Sequence, residues 1–179
     1  RAILETGVEV RLETAVGGGK GEMPVEELRR EYDAVYIAIG AHADKKIGIE
    51  GEDAAGVISA VELLRGIGDG YAPELNGKRI CVVGGGNVAM DVTRTSIRLG
   101  AEKTTVVYRR RKADMTALQE EIESAIAEGA EVMELFAPDY IESDEDGKVA
   151  ALWASSQIPG PVRDGRPTPV PSGEASVRI

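Results

Sequence analysis

The apolar positions of this chain change period several times, and each change marks an element. Val8–Glu13 alternates as a strand and runs into the loop Gly17-Gly18-Gly19-Lys20-Gly21. Pro24 suits a first helical position, and Val25–Arg30 is a short helix running from acidic to basic. Asp33–Gly40 carries an unbroken apolar run (Ala34 to Ile39) and predicts a strand buried on both faces. Residues 42–58 are polar and glycine-rich and read as a connection between domains. Ser59-Ala60-Val61-Glu62 is a capping box that opens a helix carrying Leu63 and Leu64.

From residue 79 the pattern becomes strand, glycine turn, helix, strand. The strand Arg79–Val83 precedes Gly84-Gly85-Gly86-Asn87-Val88-Ala89, and a helix follows with apolar positions Val88, Val92, Thr95/Ser96 and Leu99, ending at Gly100. Thr104–Tyr108 is the next strand; a helix with Leu118, Ile122 and Ile126 stops at Gly129; Glu131–Phe136 is a third parallel strand. Beyond Pro138 the pattern is β-only: Tyr140–Glu142, a turn at Asp146-Gly147, Val149–Ser155, a Pro/Gly loop across 159–173 and a last strand near Ala175–Ile179. This order predicts an α/β chain, a three-layer Rossmann-like nucleotide-binding domain in which a parallel sheet is joined to an antiparallel β-meander. There is no internal repeat.

The glycine turn carries the chemistry. Gly84 lets the chain leave the strand sharply, Gly86 leaves no Cβ between backbone and pyrophosphate, and Ala89 lets the helix pack close to the sheet. The unpaired amides of the first helical turn, those of Asn87 and Val88 among them, then meet the phosphates at a helix N-terminus. The acidic residue that an NAD site places about 20 positions further on is missing. Tyr108-Arg109-Arg110-Arg111-Lys112 stands there instead, on a chain of net charge −10. Two guanidinium forks on a ribose 2′-phosphate favour NADPH over NADH by a factor on the order of hundreds.

Composition removes alternatives. The acidic balance argues against nucleic acid or an anionic membrane as partner, and no apolar run approaches the ~20 residues of a membrane span. The single cysteine, Cys81, forms no internal disulfide, reads as a buried structural thiol, and fits a reducing cytoplasm. No metal-ligand spacing and no catalytic residue stands out; His42, the only histidine, lies in the polar connection and reads as solvated. Thr14 and Gly21 spoil a Walker reading of the first glycine loop. Only Tyr108 has a lysine four residues on, in the cofactor-selecting segment, which removes a short-chain dehydrogenase. The start at Arg1 suggests a piece of a longer protein.

Three strings together resemble the NADPH-binding portion of the glutamate synthase (NADPH) small, or beta, subunit family. They are Gly84–Asp91, Val107-Tyr108-Arg109-Arg110, and Glu120-Glu121-Ile122 with Ala127-Glu128-Gly129. Upstream, Asp33–Ala41 resembles that family's strand on the flavin side, and Ile49–Glu52 and Gly56–Ala60 its linking stretch. The resemblance implies an FAD/NAD(P)-binding two-domain oxidoreductase type, with residues 1–53 a remnant of the FAD-binding domain and linker and 54–179 the NADP(H)-binding domain. It implies that hydride passes from NADPH to FAD and electrons leave through iron–sulfur clusters elsewhere in the parent protein. Partners are then the rest of the FAD domain and a glutamate synthase large subunit or a ferredoxin-type acceptor. The implied site is Gly84, Gly85, Gly86, Asn87, Val88 and Ala89 on the pyrophosphate turn, with Arg109 and Arg110 on the 2′-phosphate. Glu50 and Thr116 stand where the family commonly has proline, and the FAD-binding glycine motif and clustered cysteines are absent. The expected behaviour is NADPH binding without turnover. The alternative of another class is a non-catalytic nucleotide-sensing or scaffold domain.

Overall fold

The computed structural model describes residues 4–40 and 42–179, so Ala41 of the upstream string lies outside the described residues. The chain divides into two compact units, Arg1–Ala41 and His42–Ile179.

The first unit has little regular structure. A 3-10 turn at Leu4–Thr6 precedes two short parallel strands, β1 (Val16–Gly17) and β2 (Met23–Pro24), and helix α1 (Val25–Glu31). Two expectations fail. Val8–Glu13 and Asp33–Gly40 join no ladder, and the second segment is not buried: Tyr36 is 92% exposed, Ile37 and Ile39 73%. A strand with apolar residues on both faces is stable only between neighbours. Among the described residues this unit's only ladder is the two-residue β1–β2 pair, and the segment is left irregular and exposed.

The second unit holds the predicted three layers. Helix α2 (Ala60–Gly68) starts where the capping box placed it, with the Ser59 side chain accepting the Glu62 N–H at 3.2 Å. Strands β3 (Arg79–Val83), β4 (Lys103–Tyr108) and β5 (Glu131–Glu134) form a parallel sheet in that order. They are linked by α3 (Asn87–Arg98) and α4 (Gln119–Ala127). The central strand is buried on both faces, and its alternation separates two cores. Val106 packs with Val82, Met90, Val92, Ile122 and Ala125 on the helical side; Val107 packs with Leu152 and Ala154 on the other. The buried helix faces agree in part with those read off the sequence. Val92, Ser96 and Ile122 are buried as expected, but Val88, Leu118 and Ile126 are exposed, and Met90, Thr93 and Ala125 are buried instead. Small and hydroxylated residues permit that burial because Thr93 and Ser96 return their hydroxyls to the Ala89 and Val92 carbonyls.

Leu135, at φ 63°, turns the chain sharply from β5 into the antiparallel layer. There β6 (Phe136–Ser143), the long β7 (Val149–Arg163) and β8 (Arg166–Pro171) run in order, and β9 (Val177–Arg178) pairs with β7. The loop expected across 159–173 is therefore largely a hairpin. Its turn is Asp164-Gly165, both residues with positive φ (49° and 76°), and Pro159 faces Pro169 across it. Prolines are tolerated there because β8 is an edge strand and a bulge interrupts the register after Pro159.

Candidate nucleotide site

Three glycines do separable jobs at the end of β3. Gly84 has φ 139°, and its N–H donates to the Val107 carbonyl at 3.1 Å, which holds the turn against β4. Gly85 is wedged: a Cβ there would lie 2.7 Å from the Tyr108 ring and 2.9 Å from Met115 Cγ. Gly86 caps α3 in extended backbone, and a Cβ there would meet only Thr116 Oγ1, at 3.5 Å. Ala89 closes the turn, its Cβ 3.5 Å from the Cβ position of Gly84.

The amides of Gly85, Gly86, Asn87 and Val88 have no acceptor among the described residues, because intrahelical pairing starts at Ala89 and Met90, both donating to the Gly86 carbonyl. Unpaired N–H groups in succession at the start of a twelve-residue helix form an anion cradle. Val88 is 50% exposed, so this end of the helix is open.

Residues 111–118 form a strap over the turn, a feature the sequence did not reveal. Tyr108 donates its hydroxyl to the Asp114 carbonyl at 2.9 Å. The Thr116 and Ala117 amides both donate to the Gly85 carbonyl, at 2.9 and 3.1 Å, and the Leu118 amide donates to Asn87 Oδ1 at 2.9 Å. Asn87 thus contributes a side-chain acceptor as well as a backbone amide. A contact across thirty-one residues leaves no local signal.

The basic run is sorted by its partners. Arg111 makes a two-pronged pair with Asp114, at 2.8 and 3.0 Å, and this bond holds the Asp114 carboxyl below its usual range while raising Arg111. Arg110 donates Nε to the Pro167 carbonyl at 2.8 Å, and its own carbonyl accepts the Leu135 N–H at 3.0 Å. Arg109 is exposed and makes no hydrogen bond or ion pair among the described residues. Arg109 and Arg110 share a shallow recess with Asp114, Leu135, Pro159, Pro167 and Pro169. The structure thus brings Gly84 to Ala89 and the Arg109–Arg110 pair to the same, C-terminal end of adjacent strands β3 and β4.

One expectation changes. Cys81 keeps an exposed edge on β3 instead of being enclosed, although desolvation by the groups around it pushes its thiol up to about 11. Its face of β3 lies opposite the helices, and the antiparallel layer packs over Val107 and Met133 instead. His42, exposed as expected, lines a separate recess of about 340 Å³ with Ser59, Glu62 and Arg65.

Residues 2–134 match the family described as pyridine nucleotide-disulphide oxidoreductase. The chain is 38% identical over 172 residues to the NADP(+)-dependent formate dehydrogenase subunit beta of Moorella thermoacetica, covering 95% of this chain and 24% of that protein. It is 36% identical over 156 residues to the NADPH-type glutamate synthase small chain of Escherichia coli K12, covering 82% of this chain and 32% of that one. The expected resemblance to that family is borne out. The chain spans about a quarter to a third of the length of these relatives. Among solved structures, Mycobacterium tuberculosis FprA in complex with NADPH superposes with a TM-score of 0.67 at 22% identity, covering 86% of this chain and 49% of that one. This likeness shows the FAD/NAD(P)-binding oxidoreductase fold.

Proposed function

The chain belongs to the pyridine nucleotide-disulphide oxidoreductase family, and from that premise we propose that it is the NADPH-binding module of a flavin-dependent oxidoreductase. The observation that carries this is the row of unpaired amides from Gly85 to Val88 beside the uncommitted guanidinium of Arg109. The amides, with Gly84 and Ala89 shaping the turn, hold the diphosphate common to both nicotinamide dinucleotides. Arg109 holds the 2′-phosphate through its whole fork, and Arg110 through the Nη nitrogens left after Nε is spent on Pro167. FAD, bound by the rest of the parent protein, would accept hydride from the nicotinamide C4. This chain's residues bind and orient the donor and supply no catalytic side chain.

On this reading residues 1–53 are a remnant of the FAD-binding domain and linker, and 54–179 are the NADP(H)-binding domain. Iron–sulfur clusters elsewhere in the parent protein, and a glutamate synthase large subunit or ferredoxin-type acceptor, complete the electron path in the cytoplasm. The names of the relatives support a multi-subunit oxidoreductase, and the exposed apolar run of residues 34–39 supports a flavin domain that needs more strands than this unit supplies.

Calorimetric titration of the chain with NADPH and NADH tests the proposal. NADPH binds more tightly, and an Arg109→Ala, Arg110→Ala double variant loses most of that preference while still binding NADH. Equal affinity for the two dinucleotides in the unmodified chain refutes it. Retention of FAD with NADPH-driven reduction of an artificial acceptor contradicts the expectation of binding without turnover.

A further inference from the structure

The strap over the glycine turn places one side-chain hydroxyl at the mouth of the amide cradle. Thr116 is fixed there by its backbone, since its amide and that of Ala117 both donate to the Gly85 carbonyl. Its Oγ1 is the nearest atom to the open side of Gly86, 3.5 Å from the Cβ position of that glycine, and it has no hydrogen-bond partner among the described residues. Threonine is stiff at χ1, so a backbone anchored on both sides fixes the hydroxyl direction closely. Three neighbouring donors are otherwise engaged, and the Lys112 ammonium, exposed and without a side-chain bond among the described residues, is a mobile point charge. Tyr108 Oη is spent on Asp114, the Leu118 amide on Asn87, and Arg111 on Asp114. Whatever anion approaches the Gly86 amide meets the Thr116 hydroxyl beside it.

We propose that Thr116 is a positioning and affinity residue, donating its hydroxyl to the dinucleotide diphosphate and adding a side-chain donor to the backbone amides. This rests on the nucleotide reading above. The hydroxyl acts on the part that NADPH and NADH share, so it sets affinity and leaves discrimination to the arginines.

The experiment titrates the full chain and its Thr116→Val and Thr116→Ser variants with NADPH, NADH and adenosine 2′-monophosphate. The last ligand carries the 2′-phosphate without a diphosphate. Valine keeps the branched shape and removes only the donor. Thr116→Val weakens NADPH and NADH alike by about ten-fold, the low end for a hydrogen bond to a charged acceptor, with their ratio unchanged. Thr116→Ser restores most of the loss, and 2′-AMP binds all three proteins equally. Unchanged dinucleotide affinity in Thr116→Val overturns the proposal. So does an equal loss for 2′-AMP, which would mean that the strap had moved. Failure of the unmodified chain to bind either dinucleotide is a different result, visible before any variant is compared, and it overturns the nucleotide reading itself.

Discussion

Adding one methyl group to each of two adjacent glycines separates packing from binding at this site. In Gly85→Ala the new Cβ would stand 2.7 and 2.8 Å from Tyr108 ring carbons and 2.9 Å from Met115 Cγ. Tyr108 cannot swing away without giving up both its buried position and its hydroxyl bond to Asp114. Overpacking of this kind costs about 1–3 kcal/mol, offset by about 0.4–1 kcal/mol because alanine restricts the unfolded chain. The net expectation is a loss of about 1–2 kcal/mol. In Gly86→Ala the nearest atom to the new Cβ is 3.5 Å away, and the backbone (φ −99°, ψ 175°) suits any residue. Alanine is a poorer helix cap than glycine by up to about 1 kcal/mol, and the same unfolded-state gain offsets it. Stability therefore stays within about 0.5 kcal/mol, while the methyl group occupies the approach of the diphosphate to the amides.

Urea unfolding followed by Trp153 fluorescence measures the first effect, since the only tryptophan lies in β7 of the second unit. NADPH titration of the folded variants measures the second. Gly85→Ala shifts the unfolding midpoint, and Gly86→Ala keeps it but loses binding by at least about ten-fold. A Gly86→Ala protein that binds as tightly as the parent refutes the cradle. A Gly85→Ala protein of unchanged stability refutes the wedge of Tyr108 against the turn.

Two further outcomes follow from ionisable groups. Glu142 accepts from Arg178 and from Trp153 Nε1, and these bonds hold its carboxyl down to about 2. A depressed carboxylate stabilises above its unfolded value near 4.5, and that contribution fades as pH falls from there toward about 2. Glu142→Gln therefore flattens the acid limb of a stability–pH curve in that window and leaves its slope above pH 5 unchanged; identical acid limbs would refute the coupling. Cys81 is at the surface, yet its thiol is raised to about 11 and stays protonated at pH 8. Iodoacetamide should modify it at least about ten-fold more slowly than a free thiol, with a rate still rising above pH 9; a plateau by pH 9 would refute the shift.

What the sequence made legible was local. The turn Gly84–Ala89 and the strands beside it follow from steric demands met within a few residues, and the Ser59 cap from a four-residue pattern. The hairpin through Asp164-Gly165 was legible too, through that dipeptide, but five prolines between 159 and 171 drew the reading to a loop. The face of α3 is only partly legible, because Thr93 looks polar and Val88 looks apolar, whereas Val92 and Ser96 are buried as their spacing predicts. Burial depends on the rotation of α3 over the sheet, and backbone-bonded hydroxyls enter a core cheaply. The strands expected at 8–13 and 33–40 fail for the converse reason. Their alternation and apolar run are present, but a pattern specifies a strand only where neighbours exist to complete the ladder. At the site, the strap was invisible because Asn87–Leu118 and Gly85–Thr116 are long-range pairs between a side chain or carbonyl and backbone amides.

The sorting of the basic run turns cofactor preference into a count of engaged guanidiniums. Four consecutive cations suggest a diffuse positive field, but Arg111 is neutralised by Asp114 and Arg110 is tied by Nε to Pro167. Of the three guanidiniums only Arg109 presents all its donors; the Lys112 ammonium, exposed and without a side-chain bond among the described residues, is a point charge and not a fork. A hydrogen bond to a charged group contributes about 1.5–3 kcal/mol, so on the proposed reading Arg109 alone would favour NADPH over NADH by about ten- to a hundred-fold. A preference of several hundred needs the remaining Nη donors of Arg110 as well. The single variants separate these cases. Arg109→Ala removes most of the preference in either case. Arg110→Lys keeps a cation but loses the fork, so it lowers the preference only if Arg110 reaches the phosphate. An Arg109→Ala chain that keeps its full preference would show that the 2′-phosphate is read elsewhere, and the assignment of this loop would fall.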